Sequence, residues 1–466
     1  MSIPRLLPEL SLAGLLFLPS AGQANTPAAQ RNWPHWRGPL GNGVAPEARP
    51  PLSWSETRNV KWKFAIPGFG TSTPVVWDDL VFILTAVPTG ETSSPAPPPA
   101  TDAPAPPPPA EGRRPRGGSG PGGGMRSEQP REAHAFTLIA VDRQTGRPRW
   151  ERVARVEVPH EGHHRDHGYA SHSPVTDGEF VFAYFGSRGL YAYDLAGNLK
   201  WEKDLGDMRT RAGFGEGSSP ALHGETLVVQ WDHEGEDFIV ALDKRTGREL
   251  WRRERDEPTS WSTPLVVEHG GRALVIANGT HRVRAYDLAT GESVWECGGM
   301  TQNVIPTPVT DGERVYALSG FRGAALLAIR LGLKGDLTDA PDAIAWRHGR
   351  NTPYVPSPLL YDRRLYFYSG NNAMLSVFDA ATGRPLIEAE RLSGISGVYA
   401  SPLGAAGRVY LVGRDGNTLV IRHGDTLEVL ATNRLEDRFD ASPAAVDKEL
   451  FLRGHRHLYC LTESEG

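Results

Sequence analysis

The chain has 466 residues, 39% of them hydrophobic and 23% charged, with 52 glycines, 39 prolines and a net charge of −5. That balance excludes nucleic-acid recognition through a basic face. The glycine and proline load, without long apolar-periodic helices, predicts many short strands joined by tight turns.

Residues 1–24 read as an export signal. Arg5 supplies the positive charge, Leu10 to Leu18 is an apolar stretch too short to span a bilayer, and Gly22-Gln23-Ala24 offers a small-residue cleavage site. No later segment is apolar enough to cross a membrane, so an exported protein, periplasmic or extracellular, is expected. Residues 25–58 form an N-terminal extension.

From there the chain repeats. A Ser/Thr-Pro step followed by an apolar residue occurs at Thr73-Pro74, Ser173-Pro174, Ser219-Pro220, Thr263-Pro264, Thr307-Pro308, Ser357-Pro358, Ser401-Pro402 and Ser442-Pro443. After Pro174 the prolines are 46, 44, 44, 50, 44 and 41 residues apart. Such a period marks small units that bury their apolar faces only against one another.

The first interval is twice as long. Its excess, residues 88–132, contains Pro106-Pro107-Pro108-Pro109, Gly122-Gly123-Gly124 and several arginines. It reads as a disordered insertion between the second and third strands of the first unit. Just before the second unit comes the densest polar cluster, with His160, His163, His164 and His167 around Glu161 and Asp166. Histidines at these spacings are candidate metal ligands only where a turn presents them together; a solvated loop is the competing reading.

The clearest unit runs from Ser218 to Trp251. A first strand around Ala221-Leu222 is followed by Thr226–Gln230, then Phe238–Leu242, then a turn at Asp243–Gly247 and a last strand carrying Trp251. Four antiparallel strands in about 45 residues make a propeller blade. The third turn repeats as Ala-x-Asp-x-x-Thr-Gly-x-x-x-Trp at Ala140 to Trp150, Ala241 to Trp251 and Ala285 to Trp295. A copy one residue shorter ends at Trp201, and another carries Ile387 in place of the tryptophan.

This motif resembles the repeat of the quinoprotein (PQQ-like) β-propellers. That group includes pyrroloquinoline-quinone alcohol dehydrogenases and the propeller lipoprotein of outer-membrane assembly. Asn32 to Pro39 (NWPHWRGP) also resembles the opening of exported members of the group. The resemblance implies an all-β fold over residues 59–464: one eight-bladed propeller of four-stranded antiparallel blades. The last unit lacks a fourth strand, which Asn59–Lys63 with Trp62 would supply, closing the ring. Cys297 and Cys460 then fall on opposite blades and stay free.

Residues just before each Ser/Thr-Pro step enter the innermost strands beside the central channel. Tyr169, Glu216, Trp261, Asn303, Tyr354, Tyr399 and Asp440 are therefore candidates to line its mouth, where aromatics with a few amides and carboxylates suit a planar or sugar-like ligand. Two functions follow. One is a monomeric, non-catalytic scaffold that binds protein or glycan at the cell envelope through its long-loop face. The other is a dehydrogenase holding pyrroloquinoline quinone and calcium, with an aspartate as base, for which Asp440 and Asp166 are the available residues. The dehydrogenases resembled here carry adjacent cysteines; this chain has no Cys-Cys and no Cys-x-x-Cys-His, and no catalytic residue carries over.

Overall fold

In the computed structural model, residues 27–92 and 127–463 are described. They form eight sheets, each built on four antiparallel strands, arranged as an eight-bladed propeller. The residues read as the export signal and most of the insertion lie outside the described residues.

The ring closes as the repeat count requires. Val60–Ala65 pairs antiparallel with His457–Thr462, so the N-terminal strand is the outer strand of blade eight. Blade three follows the sequence reading closely, with strands Ala221–His223, Thr226–Trp231, Phe238–Asp243 and Glu249–Glu254. Cys297 in blade four and Cys460 in blade eight are both buried and free.

The turn motif acts between blades. Asp142 Oδ1 accepts hydrogen bonds from the Thr145 N–H and hydroxyl at 2.7 and 2.8 Å, which ties the turn. Gly146 follows with φ +70°, and a Cβ there would lie 2.6 Å from the Trp62 ring of blade eight. The Trp62 indole N–H donates to Arg143 O at 2.8 Å. Trp150, Trp201 and Trp251 repeat the arrangement, each donating to a carbonyl of the next blade's turn. Each tryptophan thus seals one blade to the next with apolar area and a hydrogen bond.

Blade five keeps this tryptophan as Trp346, which donates to Ala380 O at 2.8 Å. Extra residues precede it, so it falls outside the regular spacing of the motif. Within them, Gly335–Asp336 pairs in parallel with Ser293–Cys297 and adds a fifth strand to blade four. In blade one, Leu80–Thr92 and Glu132–Asp142 pair out to Thr92 opposite Glu132. The ordered hairpin therefore continues past Pro88, where the sequence placed the start of the insertion.

The N-terminal extension straps the short-turn face. Trp33 exchanges backbone hydrogen bonds with Val76 of blade one, and Pro34 O accepts from Thr176 of blade two. Further along, Asn42 O accepts from Leu360 of blade six, Gly43 O from Gly404 of blade seven, and Arg49 donates to Asp447 O of blade eight. Arg37 is 2% exposed and donates to Pro358 O and Pro402 O, drawing the strap into the channel.

Candidate functional site

The strap leaves the channel open at the long-loop face as a cavity of about 470 Å³. Trp36 borders both this cavity and the smaller one on the strap side, so it forms the floor. The walls come from residues entering the inner strands and from the loops above them.

Four of the seven channel candidates line this cavity: Trp261, Tyr354, Tyr399 and Asp440. Tyr169 stands outside, with its ring edge-on to His134 and His163. Asn303 is also outside and buried, its backbone in the left-handed region at φ +53°. Phe214, Phe321 and Trp36 were missed by sequence reasoning, because they come from loops and the strap rather than from the repeated position. Phe321 stacks on Tyr354 with ring centroids 4.9 Å apart, and the Trp261 indole donates to Gly215 O at 2.6 Å. These rings are only partly buried, which leaves apolar faces open to a ligand.

The carboxylates at the rim are already paired. Asp166 Oδ1 lies 3.0 Å from Arg414 Nη2 and 2.7 Å from Arg438 Nη2, and the Tyr399 hydroxyl donates to Oδ2. Arg414 Nε donates to Asp440 Oδ1 at 2.5 Å, and His455 Nε2 lies 2.9 Å from Oδ2. The Arg414 guanidinium also sits 3.6 Å above the Tyr399 ring. Burial, then the Asp166 charge, pushes the Tyr399 phenol well above its ordinary range, so it remains a donor. The network ties the loop entering blade two to blades seven and eight across the mouth.

The histidine loop divides. His164 and His167 line the large cavity; the His164 ring meets Phe214 edge-on, and His167 Nε2 is 2.8 Å from Glu216 O. Burial holds His167 down at about 4, which keeps it neutral near pH 7. His163 Nδ1 lies 2.8 Å from His164 O. His160 turns the other way, into a separate cavity with Glu161 and Glu216.

The fold and the aromatic channel mouth define a PQQ-repeat propeller. The family model described as "Outer membrane protein assembly factor BamB" matches residues 133–236 and 235–466, and the chain belongs to that family. The protein of that name from Kangiella koreensis is 26% identical over 148 residues, 31% of this chain and 36% of the relative. The one from Burkholderia pseudomallei is 28% identical over 222 residues, 45% of this chain and 56% of the relative. The chain thus spans about a third and just over half of the length of these curated relatives. A europium-containing methanol dehydrogenase superposes with a TM-score of 0.59 over 93% of this chain and 98% of its own, at 9% identity, a likeness of fold alone. No helix among the described residues is long and apolar enough to cross a membrane.

Proposed function

We propose that the protein is an exported, non-catalytic binding propeller of the cell envelope, whose channel mouth grips a segment of protein or glycan. The observation that carries this reading is the cavity itself: half-buried aromatic walls, a tryptophan floor and a rim of ion pairs. Aromatic faces supply contact area at low entropic cost, and the paired rim fixes their position. The role the relatives are named for, outer-membrane protein assembly, supports a protein segment as ligand. Export rests on the reading of residues 1–24.

The dehydrogenase alternative needs oxygen ligands for calcium beside the quinone. Asp166 and Asp440, the carboxylates of the mouth, are each held by guanidinium groups, and a divalent cation placed there would meet Arg414 and Arg438. These residues do not fit that cofactor pair.

A photo-crosslinking amino acid at Phe321, in the protein expressed in its own cells, tests the reading. Crosslinks to an envelope protein or glycan that disappear in the Trp261→Ala background are expected. Crosslinks that persist in that background, or none from Phe321 alongside strong ones from the strap face, would overturn it.

A further inference from the structure

Six residues of the Ser/Thr-Pro steps border the channel cavity: Thr73, Ser173, Ser219, Thr263, Ser401 and Ser442. Each is only 2–6% exposed. Thr263, like Trp36, also borders the smaller cavity on the strap side, so this crown of hydroxyls lies at the depth of the floor.

The crown is half used. The oxygens of Ser173, Ser219, Thr263, Ser401 and Ser442 each accept one backbone N–H from the preceding blade at 2.9–3.1 Å. Thr73 Oγ1 accepts none, and none of the six hydroxyls finds an acceptor for its own hydrogen among the described residues. The walls are the opposite. Trp261 donates to Gly215 O, Tyr399 to Asp166, and His167 Nε2 lies against Glu216 O, while Phe214 and Phe321 offer only apolar surface. Free donors at a blind end, below walls whose polar groups are spent, select an acceptor-rich tip on an apolar body.

Charge points the same way. Beneath the floor, the Arg37 guanidinium lies 5.5 Å from the centre of the Trp36 ring and donates only to the carbonyls of Asn42, Pro358 and Pro402. Burial lowers it to about 9, which leaves it charged at neutral pH. Behind the wall, Arg453 is 1% exposed and bonds only to Ser72, with Nε and Nη2 unpartnered. At the rim, Asp166 and Asp440 are shared among three guanidiniums, those of Arg165, Arg414 and Arg438. The mouth therefore holds an excess of positive charge on a chain whose net charge is −5.

We infer that the mouth takes the C-terminus of a polypeptide, with its terminal carboxylate on the hydroxyl crown beside Trp36 and its last, apolar side chain against Trp261 and Phe321. The strap closes the channel below, so a ligand enters by an end and not as a through-running segment. An N-terminal ammonium would face Arg37 and Arg453. An acidic glycan fits less well, since its many hydroxyls would meet walls whose polar groups are already bonded. This placement rests on the mouth being the binding site.

The test uses the full chain and a fluorescent oligoalanine peptide ending in phenylalanine, as the free acid and as the C-terminal amide, with oligogalacturonate as the acidic glycan. By anisotropy the acid should bind about tenfold tighter than the amide, the worth of one hydrogen bond to a charged acceptor. Thr73→Val keeps the side-chain shape and breaks no inter-blade bond, and should bring the two forms within about threefold of each other. Should that variant fold poorly, the acid-to-amide ratio in the wild type still decides. Trp261→Ala should weaken both forms alike and keep their ratio. Equal affinity for acid and amide, no binding of the acid, an undiminished preference in a folded Thr73→Val, or tighter binding of oligogalacturonate would each overturn the carboxylate placement while leaving the mouth's binding role to the Phe321 crosslinks. Peptide binding indifferent to Trp261→Ala would lie outside the mouth and overturn both.

Discussion

The backbone N–H of Thr73 in blade one donates to the Ser173 hydroxyl of blade two at 2.9 Å. The bond then passes round the ring: Ser173 to Ser219, Ser219 to Thr263, Thr263 to Thr307, Thr307 to Ser357, Ser357 to Ser401 and Ser401 to Ser442, all at 2.9–3.1 Å. Each N–H precedes a proline, which donates nothing, and each sits where the innermost strands have run out of neighbours. A side-chain oxygen from the next blade fills the gap. The recurring Ser/Thr-Pro step is therefore an inter-blade link, and its recurrence follows from ring geometry.

Ser219→Ala should destabilise the fold. It removes the acceptor of the buried Ser173 N–H, at a cost of about 1–3 kcal/mol, whereas Ser219→Thr keeps the oxygen and should cost less. Denaturant midpoints at equal m-value check this. Equal midpoints for wild type and Ser219→Ala would show that the ring of hydroxyls contributes nothing.

The ring was legible because it repeats. The Ser/Thr-Pro period and the Asp-Thr-Gly-Trp turn each encode a local contact with the next blade, so one sequence window suffices to see them. The strap was not legible: Trp33, Asn42 and Arg49 bond to blades one, six and eight with no period to betray them. In the site, Trp261, Tyr354, Tyr399 and Asp440 were found because they occupy a repeated position. The pairing of Asp166 with Arg414 and Arg438 joins the second blade's entry loop to the far end of the chain. Only closure of the ring brings them together. Likewise His160, Glu161 and Glu216 border one small cavity because two successive blade-to-blade loops fold over one blade, which no spacing rule records.

Acid should unfold the protein through its turns. At Asp142 burial pushes the pKa up, but the Thr145 and Arg149 hydrogen bonds outweigh it and bring the carboxyl down to about 2. Asp243, Asp287 and Asp379, in the equivalent turns, are also lowered. A folded-state pKa below the unfolded value means that this stability is present above the ordinary carboxylate range and lost as pH falls towards about 2. Melting temperatures should drop steeply between pH 4 and 2, roughly the span from the free to the folded value. The drop should be shallower in Asp142→Asn; an equally steep drop in that variant would refute the assignment.

Both thiols should be silent in the native protein. Burial pushes Cys297 up to about 11 and Cys460 well above the usual thiol range, so little thiolate is available. A thiol reagent should react with both of the free cysteines in denaturant without prior reduction, and with neither at a comparable rate in buffer. Rapid native labelling of Cys460 would contradict its position in the blade-eight core.

Residues 94–126 should be removable. Thr92 and Glu132 are ladder partners, so a short glycine-serine link can close the hairpin that they end. Loop length affects stability only logarithmically. Ser127 should be kept, since its N–H donates to Ala212 O at 3.3 Å. A cooperative melt within a few degrees of the parent is expected; a larger loss would mean that the deleted segment packs on the ring.

Added pyrroloquinoline quinone with calcium should give no dye-linked oxidation of alcohols or sugars above the rate of the free cofactor. Turnover needs a base free to take a proton and groups that orient the quinone. At this mouth Asp440 bonds to Arg414 and His455, and Asp166 to Arg414, Arg438 and Tyr399. Withdrawing either carboxylate from its guanidinium would strand a charge at the rim. Arg414→Ala therefore should lower the melting temperature and loosen the mouth without creating activity. Trp261→Ala should leave the fold intact while weakening any flat ligand, since aromatic stacking contributes about 0.5–1.5 kcal/mol beyond area burial. Oxidation that saturates with substrate, needs calcium and falls in Trp261→Ala would replace the binding propeller with a dehydrogenase.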